Sequence, residues 1–193
     1  MPVGDCENDF LQAARIAGID LVRYKQPWLN QRGHFGLPDQ AESVVGPLDA
    51  VFNALGGNAQ EQAAKRTTPL PGDFIHPPTG TIIEIDEAQH FTSFRLRTFD
   101  FYPDAAPLDF EIGEYRDLCR RLAPKSDKYR AAKTAVGFGE GGRQRQRAYY
   151  DALRDLAAPA MGLPPVIRVA APDGYGQAAF EGNRDRILRA IAG

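Results

Sequence analysis

The chain has 193 residues, of which 43% are hydrophobic and 25% are charged, and its formal net charge at pH 7 is −2. The length predicts a single domain, and the composition is typical of a globular protein rather than a disordered, fibrous or membrane-embedded one. Because basic and acidic residues nearly balance, the overall charge does not favour a nucleic-acid-binding protein.

In the first third of the chain, apolar spacing predicts helices over residues 6–18 and 39–55, with a kink in the second at Pro47. Residues 19–24 alternate as a strand does, and Pro27 is expected to end that strand. A short helix is predicted over residues 58–65. We therefore describe residues 1–57 as an N-terminal helical and irregular segment that precedes a core of residues 58–193.

The core is predicted to begin with a β-hairpin, whose strands cover residues 72–76 and 81–87 around the turn Pro77-Pro78-Thr79-Gly80. A glycine-rich connector is expected at residues 137–142. Apolar periodicity and a β-branched stretch predict four more helices and one more strand: helices over 92–102, 110–122, 143–156 and 183–192, and a strand over 165–170. This order predicts an α/β (α+β) fold, with a small mixed central sheet that is flanked by helices.

The N-terminus and the cysteines predict the compartment. Residues 1–7 contain no basic stretch that is followed by an apolar one, so we expect no secretory signal. Cys6 and Cys119 are too few and too far apart for a zinc cluster or a disulfide framework, and free thiols suit a reducing compartment. We therefore expect a cytoplasmic protein that does not bind membranes.

The predicted hairpin carries acids where a buried strand is normally apolar. Alternation along its second strand puts Glu84 and Asp86 on the same face. A four-residue turn pairs His76 with Thr81, and the same register sets Asp73 opposite Glu84. Like charges at opposed positions are destabilising, and a divalent cation between them would remove that penalty.

An apolar strand that ends in Asp86 and Glu87 also invites comparison with the metal-binding strand of nucleotide-hydrolysing motors. That comparison is rejected for two reasons. The chain has no glycine-rich phosphate loop that ends in Gly-Lys-Ser or Gly-Lys-Thr. In addition, Glu84 would lie unpaired in the middle of a dry parallel strand, where a charge is costly.

The spacing of the acids resembles the core of the PD-(D/E)XK nuclease superfamily. The residues concerned are Asp73, then after ten residues Glu84-Ile85-Asp86, then Gln89 and His90. The order is most similar to the branch of very-short-patch-repair endonucleases. In that branch an acid faces Glu-x-Asp on the next strand, a histidine follows, and a helix precedes a strand with an arginine, here Arg168. The similarity covers residues 58–192.

This resemblance implies a restriction-endonuclease-like fold and metal-dependent hydrolysis of phosphodiester bonds in DNA, in a bacterial repair, restriction or defence system. It implies Mg²⁺ or Mn²⁺ as the cofactor, held by Asp73, Glu84 and Asp86, because these hard ions bind carboxylate oxygens. The ion would lower the pKa of an attacking water. His90 joins the three acids as a catalytic residue, in the role of proton shuttle, phosphate contact or outer ligand.

Asp86 departs from the superfamily pattern, which usually has a lysine at this position. A lysine would stabilise the charge of the transition state, whereas an aspartate could bind metal, act as a base, or mark a protein that has lost activity. The alternative hypothesis is therefore a catalytically inactive nucleic-acid-binding or scaffold protein that keeps the fold. A structural partner-binding domain, which binds no nucleic acid, is a third.

Polar side chains near the acidic strand are candidate contacts to nucleic acid: Gln89, Arg95, Arg97 and Arg168. The competing interpretation for basic residues of this kind is a solvated helix face. Residues 1–57 have no assigned role, and a specificity element and a homodimer surface are both alternatives for them.

Overall fold

The structure, a computed structural model, describes residues 4–192. A four-stranded sheet lies between two layers of helices. Its strands are hydrogen-bonded in the order β1 (Val22–Asn30), β2 (Pro69–His76), β3 (Thr81–Glu87) and β4 (Ile167–Ala171). β2 is antiparallel to both of its neighbours, β1 and β3, whereas β3 and β4 are parallel. The predicted mixed sheet with flanking helices is confirmed.

Seven α-helices accompany the sheet within residues 4–192, joined in places by short 3₁₀ turns. They are α1 (Asp5–Ile16), α2 (Glu42–Ala54), α3 (Ala59–Ala63), α4 (Ser93–Thr98), α5 (Ile112–Ser126), α6 (Arg143–Ala160) and α7 (Gly176–Ala192). None of them is both long enough and apolar enough to cross a membrane.

Each face of the sheet has its own apolar core. Helices α1 and α7 cover one face, where Phe10 and Phe180 belong to the same cluster as Ile83 and Ile85 of β3. Helices α2, α4, α5 and α6 cover the other face and pack around Ile82. The predicted alternation of β3 is therefore confirmed. Because both faces are covered, every polar side chain on this strand needs a partner inside the protein.

Helices α1 and α7 approach each other closely at Gly176. A Cβ atom at this position would lie 1.8 Å from the backbone carbonyl oxygen of Cys6, which is backbone of α1 and cannot move aside. Gly182, farther along α7, has no atom within 4 Å of the corresponding position. The contact between the two helices therefore requires glycine at residue 176 but not at residue 182.

The hairpin has the predicted turn and register. His76 pairs with Thr81, and the ladder continues to the pair of Phe74 and Ile83. Beyond that pair the side chain of Asp73 replaces a backbone acceptor, because its Oδ2 accepts a hydrogen bond from the N–H of Ile85 at 2.8 Å. Side chains therefore connect the two strands where the acids lie.

The predicted end of the first strand at Pro27 needs correction. β1 does not end at Pro27 but continues to Asn30 as the edge strand that pairs with β2. Its register is interrupted between Lys25 and Asn30, and an edge strand tolerates a proline at such an irregularity. With α1 and α2 in the two cores, residues 4–57 form part of the same domain as the rest of the chain.

Candidate functional site

Two acids from neighbouring strands line a large cleft: Asp73 of β2 and Glu84 of β3. Oε1 of Glu84 accepts hydrogen bonds from the backbone N–H of Asp73 at 3.3 Å and from the hydroxyl of Tyr24 at 2.7 Å. Tyr24 reaches Glu84 across Gly72, where a Cβ would lie 2.0 Å from the tyrosine ring. The structure thus brings Asp73 and Glu84 together, as the register predicted.

The Asp73 carboxyl is hard to ionise in this position. Burial raises its pKa well above the usual range, and the charge of Glu84 raises it further. The hydrogen bond from Ile85 and the charge of Arg154 act in the opposite direction without cancelling these effects. A cation between the two carboxylates would favour the ionised form of both, so the pair fits a divalent ion with oxygen ligands.

Asp86 lies in a different environment, although it shares a strand face with Glu84. Its carboxylate accepts two hydrogen bonds from Nη1 of Arg168, at 2.8 and 3.1 Å, and one from the hydroxyl of Tyr115 at 3.0 Å. Within the described residues it forms no three-residue ligand group with Asp73 and Glu84. The structure therefore does not place Asp86 as the third ligand of that pair.

Arg168 and Arg95 are linked through Asp155 in the interior. Nε of Arg168 donates to Oδ1 of Asp155 at 2.6 Å, and Nη2 of Arg95 donates to Oδ2 at 2.6 Å. The hydroxyl of Tyr102 donates to the same Oδ2 at 2.7 Å. Each arginine is only 1% exposed. The prediction that Arg95 and Arg168 contact nucleic acid is therefore corrected, because both side chains form buried ion pairs.

His90 is held by a carboxylate from α6. Its Nδ1 lies 3.0 Å from Oδ2 of Asp151 and 3.2 Å from Oδ1 of Asp86. Burial alone would raise the pKa of Asp151, but the charges of His90 and Arg168 bring that pKa well below the usual range. An ionised Asp151 can only accept, so Nδ1 of His90 carries a proton that it donates to Asp151. His90 lines the cleft beside Asp151 and Glu84.

Asp86, His90 and Asp151 together could hold a metal ion, since their ligand atoms lie within 4.8 Å of one another. The guanidinium group of Arg168 already provides positive charge to these acids. Arg168 bonds to Asp86 and has its Nη2 3.6 Å from Oδ1 of Asp151. A metal would also displace the proton on Nδ1 of His90. The arrangement fits an oriented histidine better than a metal centre, and Asp73 with Glu84 remains the better metal pair.

Arg154 brings one unsatisfied donor to the cleft. Its terminal nitrogens donate to the carbonyl oxygens of Tyr150 and Pro71, at 3.1 and 2.7 Å. Its Nε lies 3.4 Å from Oε1 of Glu84 and is buried without any hydrogen bond. A buried N–H group without a hydrogen bond is costly, and the nearby charge of Glu84 offsets part of that cost.

The cleft has a volume of about 1210 Å³ and a basic wall. Its cationic side chains besides Arg154 are Lys65, Arg66, Arg130, Lys133, Arg143 and Arg147. Within residues 4–192 none of these six forms an ion pair with a carboxylate. We call these six residues the basic wall. Their charges are available to an anion that enters the cleft.

Of the remaining predicted contacts, Gln89 reaches this cleft and Arg97 does not. Gln89 lines it, donates from Nε2 to Glu87 at 3.3 Å, and accepts from Arg147 through its carbonyl oxygen. Arg97 is exposed near the end of α4 and does not line the cleft. The solvated-helix interpretation therefore fits Arg97.

Sequence reasoning missed the contribution of α6 to the site. Asp151, Arg154 and Asp155 all come from this helix, and all three are buried. Their spacing of three and four residues places them on one helical face, together with Arg147 of the basic wall. A charged face inside a helix that also carries Tyr149 and Leu153 is the signal that could have indicated buried ion pairs.

Comparison with known proteins assigns no activity. A family model described as a family of unknown function (DUF7255) matches residues 50–135, which is less than half of the chain. The match includes the hairpin acids and His90 but not α6. No curated protein and no solved structure matches the chain. The geometry of the cleft therefore carries the functional assignment.

Proposed function

We propose that this protein is a metal-dependent nuclease that hydrolyses phosphodiester bonds of DNA and uses Mg²⁺ or Mn²⁺. One observation carries the proposal: a single cleft combines the paired acids Asp73 and Glu84 with six cations, none of which pairs with a carboxylate of residues 4–192. Paired carboxylates suit a hard divalent ion, and unpaired cations suit the phosphates of a polyanion. The order of acids along β2 and β3, which resembles the PD-(D/E)XK superfamily and its restriction-endonuclease-like fold, supports the same function.

The charges around the site favour one divalent ion. The buried network contains five carboxylates and three guanidinium groups: Asp73, Glu84, Asp86, Asp151 and Asp155 against Arg95, Arg154 and Arg168. With all five acids ionised, two negative charges remain. Asp73 and Glu84 would hold the ion, which when bound polarises the scissile phosphate and lowers the pKa of a water.

The protein's own groups supply the remaining chemistry. Nε2 of His90 can accept a proton from the attacking water, because Asp151 holds the ring's other proton on Nδ1. The guanidinium group of Arg154, which is paired with Glu84, can contribute positive charge beside the scissile phosphate. Arg154 would then provide the positive charge that the superfamily usually takes from a lysine at the position of Asp86.

A cleavage assay tests the proposal. The purified protein is expected to cut plasmid DNA with Mg²⁺ or Mn²⁺ and not with a chelator. Asp73→Asn and Glu84→Gln keep the side-chain shapes and remove ligand charge, so each should lower the rate at least about 100-fold, beyond the loss typical of groups that only support a ligand. Asp100→Asn, an exposed acid outside the cleft, is the control. A folded Glu84→Gln variant with full activity would overturn the assignment.

The alternative is a nucleic-acid-binding or scaffold protein without catalysis, and one observation favours it. Asp86 stands where the superfamily usually has a lysine, and its carboxylate is engaged by Arg168 and Tyr115. This alternative expects DNA binding that weakens with salt, does not respond to divalent metal, and never leads to cleavage. The same purified protein and the same DNA decide between the two functions.

A further inference from the structure

Tyr129 is an exposed aromatic residue inside the cleft. Its side chain belongs to a residue that is 39% exposed, and it lines the cleft together with the basic wall. Tyr175, the other tyrosine with comparable exposure at 62%, lies outside that cleft. Packing explains only the buried part of this ring, and the exposed part lies in a charged cleft where a ligand can reach it.

Two cations of the basic wall flank the Tyr129 ring. The guanidinium carbons of Arg130 and Arg147 lie 5.1 and 6.0 Å from the ring centroid. The turn that carries the ring is held by the buried Gln144, whose Nε2 has two N–H donors that are shared among the carbonyl oxygens of Ser126, Asp127 and Tyr129. The backbone is therefore held while the ring stays accessible.

The Tyr129 hydroxyl also differs from those of the buried tyrosines. Five other tyrosines use their hydroxyl groups in hydrogen bonds with named partners: Tyr24, Tyr102, Tyr115, Tyr149 and Tyr150. The Tyr129 hydroxyl forms no hydrogen bond with any group in residues 4–192. The hydroxyl and the part of the ring that stays exposed beside Arg130 and Arg147 are therefore available to a ligand.

We infer that the cleft binds single-stranded nucleic acid, with one base stacked on Tyr129 and the adjoining phosphates on Arg130, Lys133 and Arg143. Aromatic rings between cations are the usual platform for unpaired bases, because every base presents a π-face and every linkage a charge. In a duplex the base faces are already stacked on one another and are not accessible to the ring. This inference names single-stranded nucleic acid as the substrate of the proposed nuclease. It rests on that proposed function, since the function is what identifies the polyanion as a nucleic acid.

The size of the cleft agrees with this substrate. Drug-sized ligands occupy pockets of about 300–1,000 Å³. A cleft of about 1210 Å³ therefore holds a few nucleotides of one strand rather than a turn of double helix. The inference extends to an unpaired end or loop of a longer DNA, since only the nucleotides inside the cleft need to be unstacked.

Equilibrium binding without cleavage tests the inference. Fluorescence anisotropy with a chelator present measures affinity for a 12-nucleotide single strand, for its duplex, and for an abasic strand of equal charge. The single strand is expected to bind most tightly. Tyr129→Ala should weaken its binding at least about fivefold, the lower end of base stacking on an aromatic ring, and should not change binding of the abasic strand. Tyr129→Phe keeps the ring and should bind normally, and so should Tyr175→Ala.

Each outcome separates this inference from the proposed function. Normal binding of the single strand by Tyr129→Ala overturns the inference, and so does a duplex that binds as tightly as the single strand. If metal-dependent cleavage is found alongside either result, the nuclease assignment stands without it. If Tyr129-dependent binding is found but no metal supports cleavage, the inference stands and the nuclease assignment fails. If the protein binds none of the three probes, the inference is overturned.

Discussion

Asp73 and Glu84 hold each other's carboxylates in place, since Oε1 of Glu84 accepts from the N–H of Asp73 and Oδ2 of Asp73 accepts from the N–H that follows Glu84. Two like charges are therefore kept together by backbone hydrogen bonds, because either acid would lose a hydrogen-bond donor if it moved away from the other. The repulsion that results is part of the folded state. It is relieved either by a proton on Asp73 or by a cation.

Replacement of Asp73 by asparagine is expected to stabilise the metal-free protein. The folded-state pKa of Asp73 lies above its unfolded value, so its contribution to stability is fully present below about pH 4 and is lost as pH rises through the folded-state pKa. An asparagine side chain does not titrate and therefore has no such loss. At pH 7 the variant should be more stable by on the order of 1 kcal/mol, measured as the free energy of unfolding in urea.

The metal provides the control for this prediction. Saturating Mg²⁺ should raise the Tm of the wild-type protein, because it binds the folded state, and should leave the Tm of Asp73→Asn nearly unchanged. A variant that is less stable than the wild type at pH 7, or a stability difference that does not grow with pH, contradicts the account of Asp73.

Asp155 is expected to be the most costly acid to neutralise. Asp155→Asn leaves Arg95 and Arg168 buried with one carboxylate fewer, and breaking a buried ion pair costs about 3–5 kcal/mol. The matched substitution Asp100→Asn breaks an exposed pair with Arg116 and should cost less than about 1 kcal/mol. Chemical unfolding of both variants measures the contrast. Equal costs would mean that the interior network contributes no more than a surface ion pair.

Lys65 should make nucleic-acid binding sensitive to pH. Burial is the main cause that lowers its pKa to about 8, with Glu61 opposing and Arg143 adding to that effect. A bound phosphate favours the charged form, so affinity for a DNA strand should fall as pH rises from 7 to 9 and the lysine loses its proton. Lys65→Arg keeps its charge and should abolish this fall.

Anisotropy titrations at constant ionic strength measure this effect. Lys25→Arg changes an exposed lysine that does not line the cleft, and this variant should keep the pH dependence of the wild type. An unchanged pH dependence in Lys65→Arg would assign the effect to another group of the cleft.

The two glycines of α7 should respond in opposite directions to alanine. Gly176→Ala places a Cβ against the carbonyl of Cys6 and should cost about 1–3 kcal/mol, as overpacking does. Gly182→Ala meets open space and should gain about 0.5–1 kcal/mol from the helix propensity of alanine. Thermal unfolding of the two variants gives the comparison, and a shift of both Tm values in the same direction contradicts the close approach of α1 and α7.

The hairpin could be predicted from the sequence because its determinants are local. The turn Pro77-Pro78-Thr79-Gly80 sets the pairing of His76 with Thr81, and strand alternation then sets the side on which each acid lies. No distant residue is needed for this reasoning. The juxtaposition of Asp73 and Glu84 follows from the same local information.

The rest of the site depends on contacts that local patterns do not contain. A charged residue on a helix or strand is normally solvent-exposed, so the residue types of Asp151, Arg154 and Arg168 do not by themselves indicate burial. They are buried because each finds an opposite charge on another element of the fold. The prediction that the first strand ends at Pro27 was wrong for a related reason, because a proline ends a central strand but can occur in an edge strand such as β1.

The two-sided burial of β3 makes the position of the acids a test of correct folding. A slip of one residue against β2 would turn Glu84 and Asp86 toward the core of Phe10 and Phe180, and Ile83 and Ile85 toward the arginines. Such a misaligned sheet would bury unpaired carboxylates on one face and would leave buried guanidinium groups without partners on the other. Glu84 and Asp86 therefore also disfavour this misaligned register, and apolar substitutions of these two acids should lower the folding yield.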